Sequence, residues 1–109
     1  MLPKVNIMKK FRVILIRKDW TIQVDIKSWS EILLLLNDKG WKPNGLLTSF
    51  LGNREASEFE AEQIYAAGQK ILDQAIQDPI SVYPVSFNMG KFAEIISFCE
   101  EGAFRISIK

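Results

Sequence analysis

The sequence predicts a single α+β domain over residues 1–109, in which a small antiparallel sheet carries about three helices on one face. Three observations lead to this prediction. Apolar and polar residues alternate over residues 20–26 and 104–108, as they do in half-buried strands. Residues 57–77 instead show apolar residues at helical spacing. With 48% hydrophobic residues, the chain can bury a core without disulfides or metals.

The predicted sheet consists of an amino-terminal hairpin and a carboxy-terminal strand. Its strands cover residues 11–16, 20–26 and 104–108, and Lys18 and Asp19 turn the chain between the first two. The second half of the first strand is apolar on both faces, which is typical of a strand that is covered on both sides or paired centrally.

Helices are predicted near residues 29–38, 58–77 and 89–101. Ser28 and Glu31 have the spacing of a capping box, as do Ser57 and Glu60, so each pair is expected to begin a helix. Glycines at positions 40 and 102 are expected to end the first and third helices.

Gly68 lies at the centre of the apolar stripe of the longest helix. Because glycine in a helix costs about 1 kcal/mol relative to alanine, we expect another backbone or a bulky ring to approach closely there, the alternative being a glycine that the helix merely tolerates. Gly68→Leu should then overpack the contact, whereas Gly68→Ala should be mild or even stabilising.

The absence of histidine is the most informative feature for chemistry. It excludes the usual Ser-His-Asp and Cys-His catalytic sets and any histidine-containing metal site. The single cysteine, Cys99, rules out thiolate zinc sites, and its place on the apolar side of a helix indicates a structural role. We therefore predict no catalytic residue, no metal and no cofactor. An enzyme that uses Asp and Glu alone stays open as an alternative.

The charges are balanced overall but uneven along the chain. The formal net charge is +1, yet residues 1–49 hold nine Lys and Arg against four Asp and Glu, and residues 50–109 hold five against nine. A basic hairpin with an aromatic side chain could bind nucleic acid, although the near-neutral total argues against it. The members of that surface would be Lys9, Lys10, Arg12, Arg17, Lys18 and Trp20.

The chain is expected to be soluble and cytoplasmic. One cysteine does not require an oxidising compartment, and the longest apolar runs are too short to cross a bilayer. No membrane partner is therefore predicted.

Three segments of the chain resemble a known family. They are Trp29 with its leucine-rich helix and the following Gly-Trp-Lys-Pro at 40–43, the alanine-bearing amphipathic helix, and Phe-Cys-Glu-Glu-Gly-Ala-Phe-Arg-Ile at 98–106. Together they look like a group of small bacterial proteins, common in cyanobacteria and actinobacteria, that carry no described function. The likeness covers residues 20–108 and departs from a double glycine of the family at Ala103. It implies a compact α+β fold and a bacterial source, and it supplies no active-site residues.

The functional hypothesis is a small interaction module that binds another protein or itself. Four apolar residues, Leu34, Phe59, Ala66 and Phe98, lie off the stripes of their helices, and segment 41–52 adds more in a stretch without a clear strand or long-helix pattern. If exposed, such residues mark a protein contact, with Trp41 and Phe50 as its anchors. Alternatively, the segment folds over the helices as a lid and buries itself. The predicted partner-binding residues are Leu34, Trp41, Leu46, Leu47, Phe50 and Leu51.

Overall fold

A computed structural model describes residues 11–43, 45–77 and 89–109 of the chain. Within these residues it confirms an α+β fold with an antiparallel sheet and three α-helices. The elements in chain order are β1 (Arg12–Arg17), β2 (Trp20–Asp25), α1 (Ile26–Asp38), a 3₁₀ helix (Leu47–Leu51), β3 (Arg54–Ala56), α2 (Glu58–Gln77), α3 (Met89–Glu100) and β4 (Phe104–Ile108).

The sheet has the strand order β2-β1-β4-β3, and every neighbouring pair is antiparallel. Leu15 of β1 is paired with Ile22 of β2 on one side and with Ile106 of β4 on the other. This central position explains why β1 is apolar on both faces. The edge strand β3 was not predicted, and Ala56 joins it to Phe104 of β4.

The helices cover one face of the sheet, as predicted. The buried residues of that face belong to one core that also contains residues of all three helices; from the sheet they are Val13, Leu15, Ile22, Val24, Ala56, Phe104 and Ile106. On the opposite face Ile14 and Ile16 are only partly buried, beside the exposed Thr21 and Gln23. The described helices therefore form a single layer, in which α2 and α3 pack closely against each other.

The start of α1 differs from the prediction. Asp25 is the N-cap, because its side chain accepts a hydrogen bond of 2.7 Å from the backbone N–H of Ser28. The predicted capping box of Ser28 and Glu31 is therefore wrong, and Ile26 begins the helix rather than ending the second strand. A carboxylate at the N-cap accepts from an amide that has no partner inside the helix, which a residue one turn later cannot do.

The predicted capping box of α2 is confirmed. Ser57 Oγ accepts a hydrogen bond of 3.1 Å from the Glu60 backbone N–H, and Glu60 Oε1 accepts one of 2.9 Å from the Ser57 backbone N–H. The predicted helix ends also hold, since Gly40 and Gly102 follow α1 and α3 with φ angles of 116° and 118°. Only glycine adopts such angles without steric cost.

Candidate functional site

Arg17 connects the sheet to the end of α3. Its Nε donates a hydrogen bond of 3.1 Å to the carbonyl of Ala103, and Nη2 donates one to the carbonyl of Gly102. The guanidinium also lies over the ring of Phe98, 4.2 Å from its centroid. A cation at this point is favourable because the carboxyl end of a helix carries partial negative charge. Burial lowers the pKa of Arg17, but a guanidinium remains charged at neutral pH.

These contacts weaken the nucleic-acid hypothesis. Arg17 is engaged within the molecule, and Trp20 packs against Phe98 at a ring-centroid distance of 5.0 Å while remaining 38% exposed. Arg12 and Lys18 are exposed, and Lys9 and Lys10 lie outside the described residues. Phosphate recognition needs free basic side chains on one face, and here one of the three described basic side chains is already bound within the molecule.

A second arginine, Arg54, connects β3 to the start of α2. Its Nη2 donates 2.8 Å hydrogen bonds to both carboxylate oxygens of Glu60, and Nη1 donates to Ser49 Oγ at 2.8 Å. The guanidinium also lies 4.2 Å from the centroid of the Phe50 ring. Burial opposes ionisation of Glu60, but hydrogen bonds from Ser57 and the positive charge of Arg54 hold its pKa below the usual value. Glu60 is thus part of the fold and is not free to act as a base.

Trp41 and Phe50 would be the anchors of the partner surface only if segment 41–52 were exposed, and their positions agree instead with the alternative that the segment is a lid. Both are buried, and their rings meet edge to face with centroids 5.1 Å apart. The carbonyl of Phe50 also accepts a 2.8 Å hydrogen bond from Nε1 of the buried Trp29. Within the described residues of segment 41–52, these two rings therefore fold over α1 as a lid and remove their large apolar surface from water.

The remaining predicted partner-binding residues divide into two groups. Leu34 and Leu46 are 58% and 75% exposed, whereas Leu47 and Leu51 are partly buried against the core. Phe98, predicted to face away from its helix stripe, is buried under Arg17.

The remaining two residues predicted to lie off the apolar stripe, Phe59 and Ala66, do face away from the core. Phe59 is 64% exposed, and Ala66 is also exposed on α2. Exposed apolar side chains therefore remain on the helical layer after the core is complete.

A cleft of about 220 Å³ lies between α2 and the chain that follows α1. Its lining includes small side chains of α2 and three lysines. The lining residues are Lys39, Gly40, Trp41, Lys42, Gln63, Ala66, Ala67 and Lys70. Among these described residues there is no carboxylate.

Three lysines give this cleft its charge. The side chains of Lys39, Lys42 and Lys70 form no ion pair with the described part of the chain. The indole Nε1 of Trp41 is buried and has no acceptor among the described residues, a state that costs about 1–3 kcal/mol when a donor is left unpaired. The cleft therefore offers hydrogen-bond donors and positive charge.

Sequence reasoning missed the cleft. Lys39 and Lys42 flank Gly40 and Trp41, which is a visible local signal, but Lys70 joins them only because α2 packs beside α1. The sequence around Gln63 likewise contains no motif that indicates a place in a binding site.

The described residues offer little for catalysis or metal binding. Burial of the Cys99 side chain raises the pKa of its thiol to about 12, against a smaller opposing influence of the Arg17 charge, so the reactive thiolate is scarce. Glu100 and Glu101 are exposed at the end of α3. No group of three or more His, Cys, Asp or Glu in the described ranges could hold a metal ion. None of the described helices is long and apolar enough to cross a membrane.

Comparison of the chain with models of protein families, with curated proteins and with solved structures finds no match. The resemblance to small bacterial proteins therefore stays a prediction.

Proposed function

We propose that this protein is a non-catalytic interaction module that binds another protein through the solvent-facing side of α2. Phe59, Gln63, Ala66 and Lys70 form one row on this helix, and we call this row the α2 surface. The residues are spaced by three or four positions, which places them on the same helical face. Three of them, Gln63, Ala66 and Lys70, also line the basic cleft.

The observation that carries the proposal is the exposure of Phe59. Phe59 is 64% exposed, so most of its ring remains in water and its burial contributes little to the stability of the fold. An isolated apolar side chain on a surface is ordinary. Phe59 differs because it lies one helical turn from Gln63, which lines the cleft, and aromatic residues are enriched in protein contacts.

Leu34 and Leu46 support the same function from the α1 side of the helical layer. Among the partner-binding residues predicted from the sequence, these two are strongly exposed. We infer that they extend the contact, whereas Trp41 and Phe50 support it from inside the core. A partner that covers them would remove apolar surface from water.

The experiment is panning of a random peptide library against the immobilised protein, with two matched variants. Phe59→Ser removes the aromatic ring from the α2 surface. Ile76→Ser removes an apolar side chain that is 81% exposed on the same helix but lies about 100° away around its axis. Peptides that bind the wild type and Ile76→Ser, and not Phe59→Ser, would support the proposal.

Two results would contradict it. One is a library that yields no peptide above the background of an unrelated immobilised protein. The other is a set of peptides that lose binding equally in both variants, because that would place the contact elsewhere. Sedimentation at several concentrations identifies self-association separately, and an oligomer that Phe59→Ser dissociates would make the partner a second copy of this chain.

A further inference from the structure

We infer that the basic cleft recognises an acidic, extended peptide segment of the partner, with its carboxylates at Lys39, Lys42 and Lys70 and an apolar residue at Phe59. This inference rests on the proposed function and names the chemistry of the ligand. The cleft supplies cations and donors on a surface that also carries an exposed aromatic ring.

The charges of the cleft define the ligand as an anion. A lysine ammonium group has three donors and no acceptor, so its ligand must supply acceptors. Within the described chain, Lys39, Lys42 and Lys70 find no carboxylate partner, and none lines the cleft. An ionised carboxylate only accepts hydrogen bonds, so carboxylates of the ligand can accept hydrogen bonds from each of the three lysines.

Trp41 is a second and independent indication. Its side chain lines the cleft and is 2% exposed, and its buried Nε1 lacks an acceptor among the described residues. Buried polar groups in proteins are almost always hydrogen-bonded, so this residue of the cleft carries a donor that the described chain leaves without an acceptor.

The shape of the site favours a peptide over a small anion. The cleft is lined partly by the small residues Gly40, Ala66 and Ala67, and the α2 surface extends from the cleft to Phe59. From Phe59 to Lys70 the helix rises about 16 Å, the length of about five residues of extended chain. A short segment can therefore contact Phe59 and the lysines together.

The surroundings of the cleft favour a peptide over nucleic acid. Glu62 and Asp73 are exposed on α2 and border the α2 surface on the side opposite the cleft. A long polyanion that crossed the helix would meet these carboxylates, whereas a short acidic segment along the cleft would avoid them. The formal net charge of +1 also provides no general attraction for a polyanion.

The test is fluorescence anisotropy with a fluorescein-labelled hexapeptide that has one leucine followed by glutamates. The double variant Lys42→Glu/Lys70→Glu reverses two exposed charges of the cleft. Lys27→Glu/Lys109→Glu changes the net charge equally at exposed positions outside it. Lys42→Gln/Lys70→Gln provides a neutral version if the reversed pair disturbs folding.

We expect wild-type binding to weaken by about tenfold in the cleft variant, equivalent to about 1.4 kcal/mol. The control variant should stay within about twofold of the wild type, since distant exposed charges are screened by salt. The neutral pair should lie between them. A peptide in which glutamine replaces glutamate should bind the wild type as weakly as the acidic peptide binds the cleft variant.

The inference is overturned if the acidic peptide does not bind the wild type, or if both double variants weaken it equally. It is also overturned if inorganic phosphate displaces the peptide completely at equal concentration, or if a single-stranded oligonucleotide binds more tightly at the same lysines. Peptides that bind through Phe59 whatever the charge of the cleft would overturn the inference and leave the proposed function intact.

Discussion

A β-carbon on Gly68 would lie 2.6 Å from Cγ1 and 3.0 Å from Cγ2 of Ile96, so α2 and α3 approach each other too closely for any side chain at this position. The predicted close contact at Gly68 is therefore confirmed, although the neighbour is an isoleucine side chain rather than the predicted backbone or ring. Ile96 is fully buried and β-branched, and such a side chain has one strongly preferred rotamer in a helix. Turning away from an added methyl group would therefore force Ile96 out of its preferred rotamer.

We expect Gly68→Ala to destabilise the protein, which corrects the expectation from the sequence of a mild or stabilising change. Overpacking costs about 1–3 kcal/mol, against a gain of about 1 kcal/mol in helix propensity. Gly68→Leu should cost more. In an Ile96→Ala background, Gly68→Ala should instead be stabilising, since the clash is gone. Urea unfolding of the four proteins measures this coupling, and equal effects of Gly68→Ala in both backgrounds would show that the two residues do not interact.

Arg17→Lys should lower the free energy of unfolding by about 1–2 kcal/mol. Lysine carries the same charge, but it cannot donate in the fixed fork that reaches both Gly102 and Ala103, and it stacks poorly on Phe98. Arg12→Lys, at an exposed position of the same strand, is the matched control and should change little. Equal urea midpoints for both variants would rule out the structural role of Arg17.

Glu60→Gln should reveal a pH-dependent part of the stability. Glutamine keeps the capping geometry but loses the ion pair with Arg54, so we expect a loss of about 1–3 kcal/mol at neutral pH. Because the native pKa of Glu60 is lowered, its contribution is complete above the unfolded pKa of about 4.3 and disappears as the pH falls through the native value.

The measurement compares wild type and Glu60→Gln by urea unfolding from neutral pH to below about pH 4.3. The difference between the two proteins should shrink as the pH falls through that window. Glu62→Gln, at an exposed position of the same helix, is the control and should show no comparable difference. A Glu60→Gln effect that is constant with pH would contradict a role for the charged carboxylate.

Cys99 should react with a thiol reagent only when the protein unfolds. The side chain is 1% exposed and its thiol pKa is raised to about 12, so both access and thiolate are lacking near neutral pH. We expect labelling of the native protein to be at least about 100-fold slower than in urea, as for a site that opens with the whole fold. Native labelling at the rate of a free cysteine would show that the end of α3 opens locally.

Features that depend on local spacing could be predicted from the sequence. The strands β2 and β4 follow from alternation and β1 from a short apolar run, and the capping box of Ser57 and Glu60 lies within four residues. Gly68 was visible because a glycine in an apolar stripe needs a close neighbour. In β3, by contrast, Arg54 and Glu55 show no apolar alternation, and three residues are too few for a pattern.

Features that depend on how the elements pack could not be predicted. Burial of Trp41 follows from its contact with Phe50, and nothing in the spacing of these rings indicates which side of the chain faces the core. The cleft brings Lys39 and Lys42, which follow α1, next to Lys70 of α2. This cluster of three lysines therefore forms only when the chain folds. The choice of Asp25 as N-cap likewise depends on where β2 ends.

The most direct test of binding at the α2 surface is an NMR titration of the isotope-labelled protein with the leucine-glutamate hexapeptide. The measured quantity is the change in the chemical shift of each backbone amide of the protein. We predict that the largest changes occur at residues 39–42 and at residues 59–70 of α2, because the peptide would lie between them. Largest changes on the open face of the sheet, around Thr21 and Gln23, would contradict binding at this surface, as would a titration that changes no amide at all.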